Sequence, residues 1–292
     1  MSVEIFMKEI NQVPLLECVD QTVKDKSAPL LVFYHGWTSC KEECTAVGLE
    51  LARRGYRVLL PDCKNHGQRR VKDLPFGNEE FIDTLFANIQ EYPALVDYYK
   101  SRKLIQEDYL AVGGISMGGI TSAILLRLHE NIRSGAILMG SPQLLKLARH
   151  LIQNYLQEDA KMVSDLSLDN MQKDEDHLIQ MLETYQSFYA YDLSLDMDCL
   201  MNRPVYFWHG KEDRLVDYHL TEEFIGEIQP RPAGRYVYFD PEEGRAHSVV
   251  YKEIYKTGAF LQAAYQWRQD LDQVWPQAVE EFKHRFKFKD IN

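Results

Sequence analysis

The sequence predicts an α/β fold built on a mainly parallel, doubly wound sheet. Short, solid apolar runs recur at Pro29 to Tyr34, Tyr56 to Leu60, Tyr109 to Val112 and Gly135 to Met139. That is the pattern of strands buried on both faces. Stretches of helical periodicity separate these runs, so the chain crosses over between strands instead of turning straight back. A glycine-rich turn, Gly113-Gly114-Ile115-Ser116-Met117-Gly118-Gly119, joins one run to a helical pattern with Ile120, Ile124 and Leu128 on one face.

Taken in order, Val3 to Val19 reads as one or two opening strands, followed by the polar stretch Asp20 to Ser27. The run ending at Tyr34 leads into His35-Gly36-Trp37-Thr38-Ser39. Glu42 to Arg54 is a predicted helix, with Val47 and Leu51 on one face and Gly55 as its stop. Tyr56 to Leu60 is a strand closed by Pro61-Asp62, and Asn65-His66-Gly67 lies in the next loop. Asn78 to Arg102 is a long helical stretch, interrupted or kinked at Pro93. The serine strand, its turn and a helix to about His129 follow. Gly135 to Met139, Pro204 to Trp208 and Arg235 to Phe239 supply three more strands. Tyr251 to Trp267 is a helix, and a helical tail broken at Pro276 runs to Phe286.

One segment departs from the alternation. Residues 143–202 carry helical periodicity, with Leu144, Leu147, Leu151 and Tyr155 on one face and Leu178, Leu182 and Tyr185 on another. Pro204 resumes the sheet, so the segment is an insertion in a single domain of residues 1–292. It directly follows the strand expected beside the serine, and it is read as a lid over that serine. Between Gln157 and Asn202 it holds eleven acidic residues and two lysines. Residues 268–292 form the tail. Phe282, Phe286 and Phe288 give it a packing role, on the body or in a homodimer contact.

A formal net charge of −11 disfavours a nucleic-acid partner, which a polyanionic surface repels. No apolar run approaches a membrane span, and Met1 to Pro14 lacks the apolar core of a signal peptide. Five cysteines, an odd number, suggest free thiols in a reducing cytoplasm. Cys40, Cys44, Cys63 and His66 have loosely zinc-like spacing, but the usual outcome for such cysteines is a free thiol, and no metal is assigned.

The chemistry centres on Ser116. In a Gly-x-Ser-x-Gly turn between strand and helix the serine takes a strained backbone conformation that lifts its hydroxyl above the strand end. Gly114 and Gly118 let neighbouring backbone approach, and the Met117 amide at the helix N-terminus faces a developing oxyanion. A serine hydroxyl needs a base in hydrogen-bond reach, and the base needs an orienting acid. In a doubly wound sheet these groups belong at the carboxyl ends of strands. Asp213, on the loop after Trp208-His209-Gly210, is the acid. Asp217 is expected to cap the next helix, and Glu212 to face solvent. Of nine histidines, His247 lies on the loop after the last strand and is the base. His219, His129, His150, His177 and His284 fall in helical stretches, while His35 and His209 precede glycines at strand ends and are read as loop supports. The order serine, acid, histidine is that of the α/β-hydrolases. The Trp37 amide, on the neighbouring strand end, is the second oxyanion donor. Asp62 and His66 are read as a loop lock or pocket wall, and with His35 they complete the candidate substrate pocket.

The stretches Phe33-Tyr34-His35-Gly36-Trp37-Thr38-Ser39, Pro61-Asp62 with His66-Gly67, Ile115 to Thr121, Leu138 to Pro142, Phe207 to Gly210 with Asp213, and Ala246-His247 resemble an α/β-hydrolase. The resemblance covers nearly the whole chain. It points to the branch of dienelactone-hydrolase-like and prolyl-oligopeptidase-like serine hydrolases, and within it to the bacterial YitV-like esterases. It implies Ser116 as nucleophile, Asp213 as acid, His247 as base, and the Trp37 and Met117 amides as the oxyanion hole. It also implies ester hydrolysis without a cofactor; a hydrophobic pocket lined from Trp37, Met117 and the lid helices would suit a short or medium acyl chain. Two rival readings stand beside this one: a serine peptidase acting on short peptides or aminoacyl amides, and a non-catalytic binding protein on the same fold.

Overall fold

The computed structural model describes residues 2–74, 76–149 and 188–286. Eight strands form one sheet: β1 (Val3–Ile10), β2 (Val13–Asp20), β3 (Ala28–Tyr34), β4 (Arg57–Pro61), β5 (Ile105–Ile115), β6 (Ile132–Leu138), β7 (Val205–Gly210) and β8 (Val237–Glu242). Their spatial order is β1-β2-β4-β3-β5-β6-β7-β8. The β1–β2 and β2–β4 pairs are antiparallel, and every later pair is parallel. The α/β-hydrolase fold expected from the sequence is therefore the fold observed.

Side-chain alternation along β3 shows how the sheet divides two cores. Leu30, Val32 and Tyr34 point to one face, packed with residues of α2 (Asn78–Ser101), α3 (Met117–Leu128) and α4 (Tyr218–Ile228). Leu31 and Phe33 point to the other, packed with α1 (Thr45–Arg53), α5 (Tyr251–Gln266) and α6 (Leu271–Phe286). Each such fully buried side chain contributes about 1.5–3 kcal/mol.

Neither α2 nor α6 is interrupted at its proline: α2 runs through Pro93, and α6 through Pro276. In α2 the reason is the buried stripe on both sides of the proline. Leu85, Ile89 and Tyr92 before it, and Val96 and Tyr99 after it, enter the same core. Burial of that stripe outweighs the roughly 3 kcal/mol that a proline costs inside a helix, and Pro93 itself lies on the exposed face. The tail packs on the body through Trp275, whose ring meets the edges of Tyr236 and Phe260 at 5.4 and 5.5 Å. The side chains of Phe282, Phe286 and Phe288 lie outside the described residues.

The insertion is described only at its two ends. Residues 144–149 are helical, with Leu144, Leu145, Leu147 and Ala148 in the core, and residues 188–200 make three short turns of 3-10 helix. Asp192 ties the ends together, accepting from the Leu145 amide at 2.7 Å. Most of the expected lid of residues 143–202, namely residues 150–187, lies outside the described residues.

Candidate active site

Level strand ends bring the first pieces together. Phe33 and Tyr34 pair with Gly113 and Gly114, so the His35-Gly36-Trp37 turn leaves the sheet beside Ser116. A Cβ built on Gly36 would stand 3.6 Å from Ser116 Cβ. Ser116 takes φ 56° and ψ −115°, a strained conformation for an L side chain. The turn closes because its flanking glycines have no side chains. A Cβ on Gly114 would lie 2.2 Å from the Gly118 carbonyl carbon, and one on Gly118 would lie 2.1 Å from the Tyr34 oxygen. Met117 opens α3, so its amide has no intrahelical acceptor and is left for another partner.

Ser116, Asp213 and His247 meet although 131 residues separate the first from the last. The Ser116 hydroxyl lies 2.9 Å from His247 Nε2, and His247 Nδ1 lies 2.7 Å from Asp213 Oδ2. Asp213 Oδ1 accepts from the amides of Leu215 (2.9 Å) and Val216 (3.1 Å). Nδ1–H therefore donates to the carboxylate, and Nε2 is left as acceptor for the serine proton. Burial on its own would raise the Asp213 carboxyl. Hydrogen bonds from His209 and His247, with the electrostatic interaction of the two side chains, outweigh burial and hold it well below the usual carboxylate range.

His247 depends on contact between two loops. The Lys211 amide donates to the Glu242 carbonyl (2.9 Å), and the Glu212 amide donates to the Arg245 carbonyl (2.9 Å). Glu212 is exposed, as expected, and Asp217 caps α4 by accepting from the His219 amide at 3.0 Å. His219 is exposed on α4.

The three residues assigned to a pocket are hydrogen-bonded within and beneath the turn that follows β3. His35 Nδ1–H donates to the Gly36 carbonyl (2.8 Å), and its Nε2 accepts from the Cys63 amide (3.1 Å). His66 repeats the arrangement, with Nδ1–H to the Lys64 carbonyl (2.7 Å) and Nε2 accepting from the Thr38 amide (3.1 Å). Asp62, fully buried, accepts from the Lys41 amide (3.0 Å), Lys41 Nζ (2.6 Å) and the Gln68 amide (2.9 Å). Of the two roles open to Asp62 and His66, these contacts are those of a loop lock. Burial pushes His35 down to about 4 and lowers His66 as well. Both nitrogens of His66 are engaged, and among the described residues no group of three or more His, Cys, Asp or Glu could hold a metal ion.

Around this turn stands an aromatic wall. The Trp37 ring lies 4.8 Å from His66, 5.1 Å from Phe76 and 5.4 Å from Phe81. Sequence reasoning missed Phe76 and Phe81, which lack any strand-end signal. It also missed Lys41, whose burial is legible only once Asp62 is seen beneath it, and it read His209 as loop support alone.

Fold and strand-end geometry together define an α/β-hydrolase. The family model described as "Serine aminopeptidase, S33" matches residues 25–241, and the chain belongs to that family. The YitV protein of Bacillus subtilis (strain 168), named as an esterase, is 29% identical over 261 residues, spanning 87% of this chain and 96% of its own length. The esterase YjfP of Escherichia coli (strain K12) is 29% identical over 214 residues, spanning 73% and 80%. Among solved structures, TT1662 from Thermus thermophilus superposes with a TM-score of 0.66 at 17% identity, covering 92% of this chain and 99% of that one. No helix among the described residues is long and apolar enough to cross a membrane.

Proposed function

We propose that this hydrolase is a serine carboxylesterase acting on small esters of short or medium acyl chain. The observation that carries the reading is the hydrogen-bonded series Ser116 Oγ, His247 Nε2, His247 Nδ1, Asp213 Oδ2, at 2.9 and 2.7 Å. His247 takes the Ser116 proton as Oγ attacks the ester carbonyl carbon. The oxyanion is held by the Trp37 and Met117 amides, each worth roughly 10²- to 10³-fold in rate. As the C–O bond breaks, His247 returns the proton to the leaving alcohol and the acyl group stays on Ser116. Water then enters, gives a proton to His247, and attacks the acyl-enzyme. Collapse of the second tetrahedral intermediate returns the proton to Ser116 Oγ and releases the carboxylic acid. Asp213 fixes the imidazole tautomer and stabilises its charge throughout.

The names of YitV and YjfP support an ester substrate. The ring wall of Trp37, Phe76 and Phe81 supports an apolar acyl group. The family's own description favours a second reading, cleavage of an aminoacyl amide. A panel of p-nitrophenyl esters from acetate to palmitate, beside one aminoacyl-anilide, separates the two in wild type and Ser116→Ala. Ester turnover lost in the variant supports the esterase, and the chain-length profile sizes the pocket. Cleavage of the anilide with silence on every ester supports the peptidase. Ester turnover that persists in Ser116→Ala removes the serine mechanism.

A further inference from the structure

Asp213 has a second imidazole on it. His209, fully buried at the end of β7, places Nε2 3.1 Å from Asp213 Oδ2 and 2.9 Å from the Val216 carbonyl oxygen. Both neighbours are acceptors, so Nε2 carries a hydrogen and donates. Nδ1 lies 3.0 Å from the Thr221 hydroxyl, which is itself 3.2 Å from the Gly140 carbonyl oxygen at the end of β6. The ring is thus held at both nitrogens, between the acid loop and α4. With Leu215 and Val216 on Oδ1, and His209 and His247 on Oδ2, the carboxylate has four donors for its roughly four lone-pair sites. It has no free lobe about which to turn.

We propose that His209 is a positioning residue for Asp213, fixing the tilt of its carboxylate and sharing Oδ2 so that the acid pulls less strongly on the His247 Nδ1 proton. The role rests on the Ser116–His247–Asp213 reading above. An oxygen that already accepts one hydrogen bond is a weaker acceptor for the next, and a carboxylate stabilised by more donors is less basic. Lowering of the Asp213 carboxyl by the His209 hydrogen bond agrees with this. With that donor removed, Asp213 would hold the imidazolium of His247 more tightly, and the free base needed to accept the serine proton would form only at higher pH. The titratable groups facing His209 are Asp213 on its own loop, His247 on the loop beyond, and Tyr218 of α4 edge-on at 5.8 Å. Burial and the bond to Glu222 push Tyr218 up to about 12, so it stays neutral through this range.

The test compares wild type with His209→Phe, which keeps a planar ring and loses the donor, and His209→Gln, which keeps a donor. For p-nitrophenyl butyrate, the acidic limb of kcat/KM in His209→Phe is expected to move up by about half to one pH unit. Its plateau kcat falls about tenfold with KM within about twofold, as expected for an interaction used in the transition state. His209→Gln is expected to recover most of both effects. An unmoved limb in His209→Phe, or a Gln variant no better than Phe, overturns the proposal. Should the Phe variant fail to fold, His209→Leu carries the same comparison. Nitrogen NMR of the wild-type and Ser116→Ala imidazoles decides the point without turnover. A proton on His209 Nε2 supports the proposal, and a proton on Nδ1 alone overturns it. Activity retained in Ser116→Ala overturns the serine mechanism instead, and leaves the NMR result on His209 readable.

Discussion

Gly210 lies directly under Arg245: a Cβ on Gly210 would come 2.3 Å from the Arg245 carbonyl oxygen. That carbonyl belongs to the loop carrying His247, and Gly210 begins the loop carrying Asp213. The 2.7 Å bond between imidazole and acid therefore depends on the absence of one methyl group. Gly210→Ala is expected to push the two loops apart, costing about 1–3 kcal/mol of stability. A displacement of about 1 Å at His247 costs on the order of 10²-fold in kcat. Steady-state kinetics beside a thermal melt checks both numbers. A variant with unchanged kcat would show that the loops adjust independently.

Asp213→Asn keeps the size of the acid and reverses its hydrogen-bond logic. Only one end of an amide accepts: with its oxygen toward His209 Nε2 and His247 Nδ1, its NH2 would face the amide donors of Leu215 and Val216, so the oxygen turns to those amides and the NH2 faces the rings. The His247 tautomer that leaves Nε2 free for Ser116 is then lost. kcat is expected to fall by about 10⁴-fold with KM little changed, a residual rate coming from the oxyanion amides. A fall below tenfold in p-nitrophenyl ester turnover would mean that Asp213 does not orient the base.

How much of this arrangement the sequence disclosed follows from where each residue stands. Ser116, Asp213 and His247 each follow a strand, and the parallel order of strands brings such positions to one edge of the sheet whatever lies between them. Asp217 was legible because capping is a local matter of one side chain and the amide two residues on. His209 was half legible. Its place before a glycine marked a loop support, but its bond to Asp213 depends on how the loop turns back over four residues. The continuity of α2 through Pro93 was hidden for a different reason. Local propensity argues for a break, and only the shared buried face of Leu85, Tyr92 and Tyr99 overrides it. Trp275 is a further case: it packs the tail on Tyr236 and Phe260, partners that only the folded sheet and α5 bring to it.

Lys41 tests the loop lock. Its side chain is 1% exposed, and its Nζ lies 2.6 Å from Asp62, itself 0% exposed. Lys41→Met removes the cation and leaves the carboxylate buried with backbone amides as its remaining donors. Breaking a buried pair on one side costs about 3–5 kcal/mol. The double variant Lys41→Met with Asp62→Leu is expected to recover part of that loss, because neither charge is then left alone. Denaturant melts of the two proteins check this. Equal stability in single variant and wild type would mean the pair contributes nothing to the lock.

His35 makes the same region sensitive to acid. Its ring is buried and neutral in the folded chain, with Nε2 accepting the Cys63 amide, and burial lowers it from the ordinary 6.5 to about 4. Between those values the unfolded chain binds a proton that the folded chain refuses, so stability rises with pH across the interval. It is fully present above about 6.5, declines as pH falls toward about 4, and changes no further from this group below that. The interval corresponds to about 3 kcal/mol at most. His35→Gln, whose amide oxygen can still accept from Cys63 and which has no proton to take up, is expected to flatten the decline between about pH 6.5 and 4 while lowering stability at neutral pH by about 1 kcal/mol. Urea melts of both proteins across this range measure the two slopes. Parallel slopes would assign the acid sensitivity to other groups.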